Sequence, residues 1–260
     1  MPELPDVEGF RKVLSSCAHG RRVTDIDVRD AGVLRGVTTR RLRRDVRGRR
    51  FGEPWRHGKW LIGPTDEGPA LVWHFGMTGA LLCASADEPV HAHDRLVFTL
   101  DDERELRYRD QRKLQGVHVA DSDDAVAHIL CHLGPDALTV DRETFLDVLA
   151  NRRGSVKSVL MDQSALAGLG NLLCDEILWR ARAAPTRPAR TLGTAEAGKV
   201  YAAMRRVLKS SVEAECVPSR RTWLTGRRDD DEPRCPRCHG PLLSRRLSSR
   251  RTVWCPHCQS

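Results

Sequence analysis

Four cysteines near the end of the chain, Cys235-x2-Cys238 and Cys255-x2-Cys258, are spaced to hold a metal ion. Two C-x2-C knuckles supply four soft ligands from two tight turns, the donor set of tetrahedral Zn2+. Protein fills every coordination position, so the expected ion is one structural zinc. The stretch between the knuckles, Pro241–Trp254, reads as a β-hairpin carrying Arg245, Arg246, Arg250 and Arg251. Such a hairpin suits contact with phosphates or a nucleic-acid groove; a zinc ribbon used for protein contacts, or for stability alone, has the same spacing. The other end reads Met1-Pro2-Glu3-Leu4-Pro5. Removal of Met1 would expose a proline secondary amine. An α-amino group titrates at about 7.7–8, and proline's somewhat higher, so a neutral fraction persists near physiological pH. Such an amine can attack an electrophilic sugar carbon and form an iminium, as lysine does in Schiff-base chemistry. Glu3 stands beside it as a proton donor or acceptor. Taken alone, a Pro-Glu start also fits a disordered tip.

Three further segments carry weaker signals. Gly168-Leu169-Gly170-Asn171 joins two helical stretches. Its glycines permit close approach of a ligand, and the following helix offers unsatisfied N–H groups to a phosphate; a packing turn between helices uses the same residues. His74-Phe75-Gly76-Met77-Thr78-Gly79 reads as a strand ending in a tight turn with Met77 at its tip, a place where Met usually serves packing. Arg107–Leu114 is a basic loop after a strand and fits a solvated turn equally well.

The elements that must position these residues follow from periodicity. Residues 6–17 read as an amphipathic helix, with Val7, Phe10, Val13, Leu14 and Cys17 on one face and Gly20 closing it. This helix would hold the extreme N-terminus in place. Between Val23 and Val119, short β-type segments alternate with turns: Arg22–Val28, Trp60–Gly63, Leu71–Phe75, Arg95–Leu100 and Glu105–Arg109. That spacing predicts an antiparallel sandwich or barrel. His132–Asp136 breaks the pattern, and helices follow around Phe145–Leu149, Val156–Leu160, Leu172–Leu178 and Thr194–Glu213. The expected class is α+β: a β-sandwich domain with flanking helices over 1–125, a linker at 126–140, a helical domain at 141–216, and an irregular connector with the finger at 217–260.

The net charge of +8 favours a polyanionic partner. From Cys216 to Ser260 there are ten Arg against four acidic residues, so this tail alone carries +6; a solvated basic surface is the plainer alternative. Five of the nine cysteines, Cys17, Cys83, Cys131, Cys174 and Cys216, are scattered singly. This usage predicts one metal site plus ordinary buried thiols in a reducing compartment. With no long apolar run and no basic-then-apolar N-terminus, the expected location is cytoplasmic.

Together, these residues resemble the formamidopyrimidine-DNA glycosylase/endonuclease VIII family over essentially the whole chain. The matching motifs are the Met1–Glu8 start, Lys59 in His-Gly-Lys-Trp-Leu, His-Phe-Gly-Met-Thr-Gly, Leu-Gly-Pro-Asp, Leu160–Gln163, Ala167–Leu172 and the finger. The resemblance implies a β-sandwich, a helix-two-turn-helix domain and a zinc finger, with damaged double-stranded DNA held by a monomer in the cleft between lobes. It implies a base-excision enzyme, both glycosylase and lyase at apurinic or apyrimidinic sites. Pro2 would attack C1′, the base would leave, and β- and δ-elimination would cut the strand. Glu3 would be general acid/base, and Lys59 would contact phosphate and assist cleavage. Asn171 and Arg250 would clamp phosphates, with Arg250 completing the catalytic set, and Lys157 would make a further phosphate or lesion contact. Met77, Arg112 and Leu114 match the residues that fill the hole left by a flipped base; Leu114 stands where the family carries Phe, and stacks less well.

Other departures bear on substrate. The Cys216–Arg234 connector is shorter than the family's lesion-capping loop. Asp6 replaces Glu, and Gln111 replaces Pro. The Glu-Leu-Pro start places the chain nearer the formamidopyrimidine branch, without that branch's lid. Strand incision at abasic sites is therefore expected more firmly than 8-oxoguanine excision. Two other functions fit the same residues: a glycosylase for bulky alkylated or cross-linked bases, and a catalytically silent protein that binds damaged DNA.

Overall fold

Helix α1 (Leu4–Ala18) opens the chain in a computed structural model that describes residues 1–247 and 249–260. The chain divides into two units. One comprises Met1–Pro2 and Asp6–Cys131, the other Glu3–Pro5 and His132–Ser260. The N-terminal peptide therefore belongs to both.

In the first unit α1 is followed by β1 (Val23–Val28), β2 (Leu34–Arg35), α2 (Thr39–Val46), β3 (Trp55–His57), β4 (Trp60–Gly63), β5 (Ala70–His74), β6 (Ala80–Ser85), β7 (Asp94–Leu100), β8 (Arg104–Arg109), β9 (Val117–Ala120) and α3 (Asp123–Leu130). The strands form a four-stranded sheet, β1-β7-β8-β6, and a five-stranded sheet, β2-β9-β5-β4-β3. All pairings are antiparallel except the short β2–β9 contact, which is parallel. Ile26, Phe98, Leu106 and Tyr108 from the first sheet share one buried core with Leu61, Leu71, Trp73 and Val117 from the second, together with Val7, Leu14 and Cys17 of α1. Phe51 bridges the two sheets, its ring 6.0 Å from Phe98 and 6.4 Å from Trp73. Burying side chains of this size contributes about 1.5–3 kcal/mol each.

Three expectations are corrected here. The stretch read as purely β contains α2, an arginine-rich helix whose Leu42 and Val46 are buried at i, i+4 and whose N-cap, Thr38, accepts from the Arg41 N–H. The start of the expected linker is α3, capped by Ser122 and led by Asp123 and Asp124. The scattered cysteines are not all buried thiols. Cys17 and Cys83 form a disulfide, with Cα atoms 5.9 Å apart, while Cys131 and Cys216 are exposed, so that Cys174 alone keeps the expected setting. Cys17 lies on the inner face of α1, where helix packing brings it to β6; spacing along the chain carries no trace of that meeting.

The second unit contains α4 (Arg142–Asn151), α5 (Val156–Met161), α6 (Asn171–Ala181), α7 (Thr194–Glu213) and the hairpin β10 (Leu243–Leu247) and β11 (Arg250–Trp254). Its helices share a core that includes Phe145, Leu160, Ile177, Leu178, Met204 and Leu208, and Leu4 joins that core. A separate small cluster, Trp179, Leu224, Leu242 and Val253 with Cys235 and Cys255, seats the hairpin. No helix among the described residues is long and apolar enough to cross a membrane.

His118 of β9 lies opposite Arg35 and Val72 in the five-stranded sheet. Burial, reinforced by the Arg35 guanidinium, pushes its pKa below the ordinary imidazole value. The unfolded chain therefore binds the proton more readily, so this stabilisation is present above the ordinary imidazole pKa and is lost as pH falls through the depressed one. Lowering the pH from about 7.5 to about 5 should lower the melting temperature, and His118→Asn should flatten the dependence. Melting curves of both proteins across this range check it; identical slopes would contradict the assignment.

Candidate active site

The extreme N-terminus is anchored through Glu3. This residue is 1% exposed, and its two carboxylate oxygens accept the Leu172 and Leu173 N–H groups at 2.8 and 3.1 Å. These are first-turn donors of α6, whose N-cap, Gly170, has no side chain to offer them. The Leu4 N–H donates to the Gly168 carbonyl at 3.1 Å. Both glycines of the Gly-x-Gly-Asn turn are explained by these contacts. A Cβ on Gly170 would lie 2.3 Å from Glu3 Cδ, and one on Gly168 would lie 2.5 Å from Leu4 Cδ1, at a φ of +113°. The turn makes room for the N-terminal peptide, and the helix end receives a carboxylate of the chain itself. Gln163 braces this turn, accepting from the Gly168 N–H and donating to the Leu169 carbonyl. Pro2 is half-buried, one peptide bond from the anchor, and Met1 is exposed.

Asn171, half-buried, opens α6. Lys157 of α5, expected at a phosphate or lesion, lies against it in the interior of the protein. Lys157 is 1% exposed, and its ammonium donates to Asn171 Oδ1 at 2.8 Å, Asp175 Oδ1 at 2.6 Å and Thr252 Oγ1 at 2.8 Å. An ammonium has three protons, and all three are engaged inside the protein. Asp175, also buried, takes Arg228 Nη1 at 2.7 Å and the Val253 N–H at 3.2 Å on its other oxygen. Burial pushes the Asp175 carboxyl up while Lys157 and Arg228 pull it down. Every one of these partners donates, so the ionised form is the one this geometry accepts.

The four cysteines converge at the base of the hairpin. Their Sγ atoms all lie within 4.8 Å of one another, with Cys235–Cys258 at 3.9 Å and Cys238–Cys255 at 3.5 Å. Ligands at about 2.3 Å around a tetrahedral ion stand about 3.8 Å apart, so the arrangement fits one four-coordinate metal. Arg250 is exposed on β11. Its neighbour Arg251 is occupied internally, by Asp229 and by the Arg228 carbonyl.

In the first unit, Lys59 occupies the two-residue turn between β3 and β4, preceded by Gly58 at φ +57°. The Met77 turn and the loop after β8 are tied together by Asp110, which sequence reasoning missed. This fully buried carboxylate accepts from the Thr78 hydroxyl at 2.6 Å, the Tyr108 hydroxyl at 3.2 Å and the Arg112 N–H at 3.0 Å. Burial, aided by Asp110, pushes the Tyr108 phenol well above its usual range. Arg112 Nη1 meets Met77 Sδ at 3.0 Å, so the structure brings these two together. Leu114 is 51% exposed, and Arg35 bonds the carbonyls of Lys113 and Gln115 on either side of it. The Arg107–Leu114 segment is only partly the solvated turn its composition suggests: Arg107 lies buried within β8, paired with Glu105 at 2.7 Å.

Comparison with known proteins covers nearly the whole chain. Residues 1–117 match the formamidopyrimidine-DNA glycosylase N-terminal domain, and residues 133–221 match the formamidopyrimidine-DNA glycosylase H2TH domain. Formamidopyrimidine-DNA glycosylases of Geobacter metallireducens and Teredinibacter turnerae are 35% and 32% identical to it, with full coverage of both chains. A Lactococcus lactis FPG mutant in complex with Fapy-dG-containing DNA shares the fold at a TM-score of 0.90, 24% identity and 99% coverage of each chain. The wild-type Lactococcus lactis enzyme in complex with N7-benzyl-Fapy-dG-containing DNA matches at 0.88 and 25% identity, again with 99% coverage of each. The ordered motifs, the four-cysteine cluster and the full-length relatives agree, and the chain belongs to the formamidopyrimidine-DNA glycosylase family.

Proposed function

We propose that the protein is a bifunctional DNA glycosylase and abasic-site lyase of base excision repair, with Pro2 as nucleophile. The observation that carries this reading is the burial of Glu3 on the α6 N-terminus, which fixes the residue next to the amine. Once Met1 is removed, the Pro2 nitrogen holds a lone pair and attacks C1′ of the damaged nucleotide. The glycosidic bond breaks and the base departs with a proton. Opening of the sugar ring leaves an iminium between Pro2 and C1′. Loss of a C2′ proton expels the 3′ phosphate, and a second elimination expels the 5′ phosphate. Glu3 serves the proton transfers, Lys59 and Arg250 hold phosphates and assist cleavage, and Asn171 donates to a phosphate. Met77, Arg112 and Leu114 fill the space of the extruded base. One Zn2+ on Cys235, Cys238, Cys255 and Cys258 maintains the finger. The protein acts as a monomer on damaged duplex DNA in the cytoplasm, at the nucleoid.

A second reading concerns the lesion. The Cys216–Arg234 connector is short, and the Lactococcus lactis enzyme in a neighbouring structure binds DNA carrying N7-benzyl-Fapy-dG. Both favour bulky alkylated or cross-linked bases as substrates. A panel of oxidised, alkylated and cross-linked duplexes distinguishes the readings, and inactivity on every bulky lesion would remove this one.

Borohydride should trap the Met1-free protein on abasic DNA, and Pro2→Gly should abolish the adduct. Equal trapping by the variant would show the nucleophile to be elsewhere. Glu3→Gln should slow excision by about 10²–10⁴-fold, the usual worth of a positioned acid/base; single-turnover rates measure it. Chelation should release one zinc per chain, measurable by elemental analysis, and weaken DNA binding as the hairpin loosens. Arg250→Ala should weaken binding to all duplexes alike and lower the salt slope by about 1. A sequence-selective loss would contradict a phosphate contact.

A further inference from the structure

We infer that Lys157 is a positioning residue that orients the two phosphate donors, Asn171 and Arg250, without touching DNA itself. The inference rests on the reading of this surface as the DNA-binding one. Its basis is the chemistry of the three acceptors around a buried ammonium. A lysine ammonium only donates. The side of the Asn171 amide that faces it at 2.8 Å must therefore be the carbonyl oxygen. The amide NH2 is then the half left to meet another acceptor, and phosphate oxygens only accept. Without the lysine, a flip of the amide would present oxygen to phosphate, a repulsive contact. Lys157 removes that choice.

The second acceptor reaches the finger. Thr252 Oγ1 receives Lys157 at 2.8 Å, and the threonine's own proton goes to the Arg250 carbonyl at 3.4 Å. The ammonium that orients Asn171 thus also holds the backbone from which Arg250 projects. The third acceptor, Asp175, keeps the charge in place. A buried ammonium without a counterion is costly, and Asp175 lies 2.6 Å away with its other oxygen on Arg228 and the Val253 N–H. Lys157 and Asp175 therefore join α5, α6, the connector and β11 at one point, and both phosphate donors stand on elements that meet there.

The test is equilibrium binding of the full chain, with its metal, to a duplex containing a tetrahydrofuran abasic analogue at several salt concentrations. Lys157→Met should weaken binding by about 10-fold, the scale of one charge-assisted hydrogen bond, with the salt slope unchanged. A lysine on phosphate would instead lower the slope by about 1 when removed. In an Asn171→Ala background the loss from Lys157→Met should shrink, because the two act through one contact. Thr252→Val keeps the ion pair, and with it the fold. It should bind several-fold more weakly, again with an unchanged slope. A lowered slope, additive losses in the double variant, or wild-type affinity of Thr252→Val would each overturn the proposal. Failure of the wild-type protein to bind the duplex at all would overturn the DNA-binding reading beneath it.

Discussion

The carboxylate of Glu3 on the first turn of α6 is the contact on which the proposed chemistry depends. A helix end leaves N–H groups without partners, and a buried carboxylate must find donors or be expelled to water. Here each need answers the other: Gly170 offers α6 no side-chain cap, and the Leu172 and Leu173 N–H groups take Glu3 instead. The positive end of the helix dipole adds to the attraction. Because the anchor is the third residue, a nucleophile at the second has almost no chain in which to wander. A proline there removes a further torsional freedom. An N-terminal amine is an unpromising catalyst when frayed, and this contact removes the fraying.

Positive charge is distributed less simply than the +8 total implies. The tail's ten arginines divide into working groups. Arg228 is buried on Asp175, Arg251 is held by Asp229 and the Arg228 carbonyl, and Arg237 lies over the Trp179 ring at 4.6 Å. Arg245, Arg246 and Arg250 are exposed on the hairpin strands. Arg228, Arg237 and Arg251 therefore help build the finger's seat, while Arg220, Arg221 and Arg234 join the hairpin arginines on the exposed surface.

Legibility from sequence follows the range of the interaction. Thr194–Glu213 and Trp60–Gly63 stand at their expected bounds, because long amphipathic periodicity and a four-residue apolar run bounded by turns are local signals. The cysteine knuckles are legible because metal ligation imposes spacing on the chain. Helix α2 is hidden because its surface is almost all arginine, leaving only two apolar residues to mark the period. Long-range pairings leave no mark: nothing near Cys17 points to Cys83, and nothing near Lys157 announces Asp175 and Thr252. A lysine in sequence reads as an exposed cation because lysine usually is one. Three acceptors from α6 and β11 reverse the role of Lys157, and each is supplied by tertiary structure.

The connector illustrates the same point in reverse. Its composition reads as an irregular link, yet Trp223, Leu224, Thr225 and Arg228 are buried. The Thr225 N–H donates to Glu176 Oε2, Arg228 pairs with Asp175, and the Arg180 guanidinium lies 4.5 Å over the Trp223 ring. Asp175 and Glu176 are adjacent on α6, and burial pushes both carboxyls up. Two such groups side by side demand cations, and the connector supplies one of them while α6 supplies Arg180. A segment that leaves this seat abandons a buried carboxylate, a loss of several kcal/mol by the rule for broken buried pairs. A loop meant to open and close over each lesion is drawn from weakly held chain. This connector is held instead at its centre, where Thr225 and Arg228 strap it to α6 and Arg228 reaches the Arg251 carbonyl of the finger.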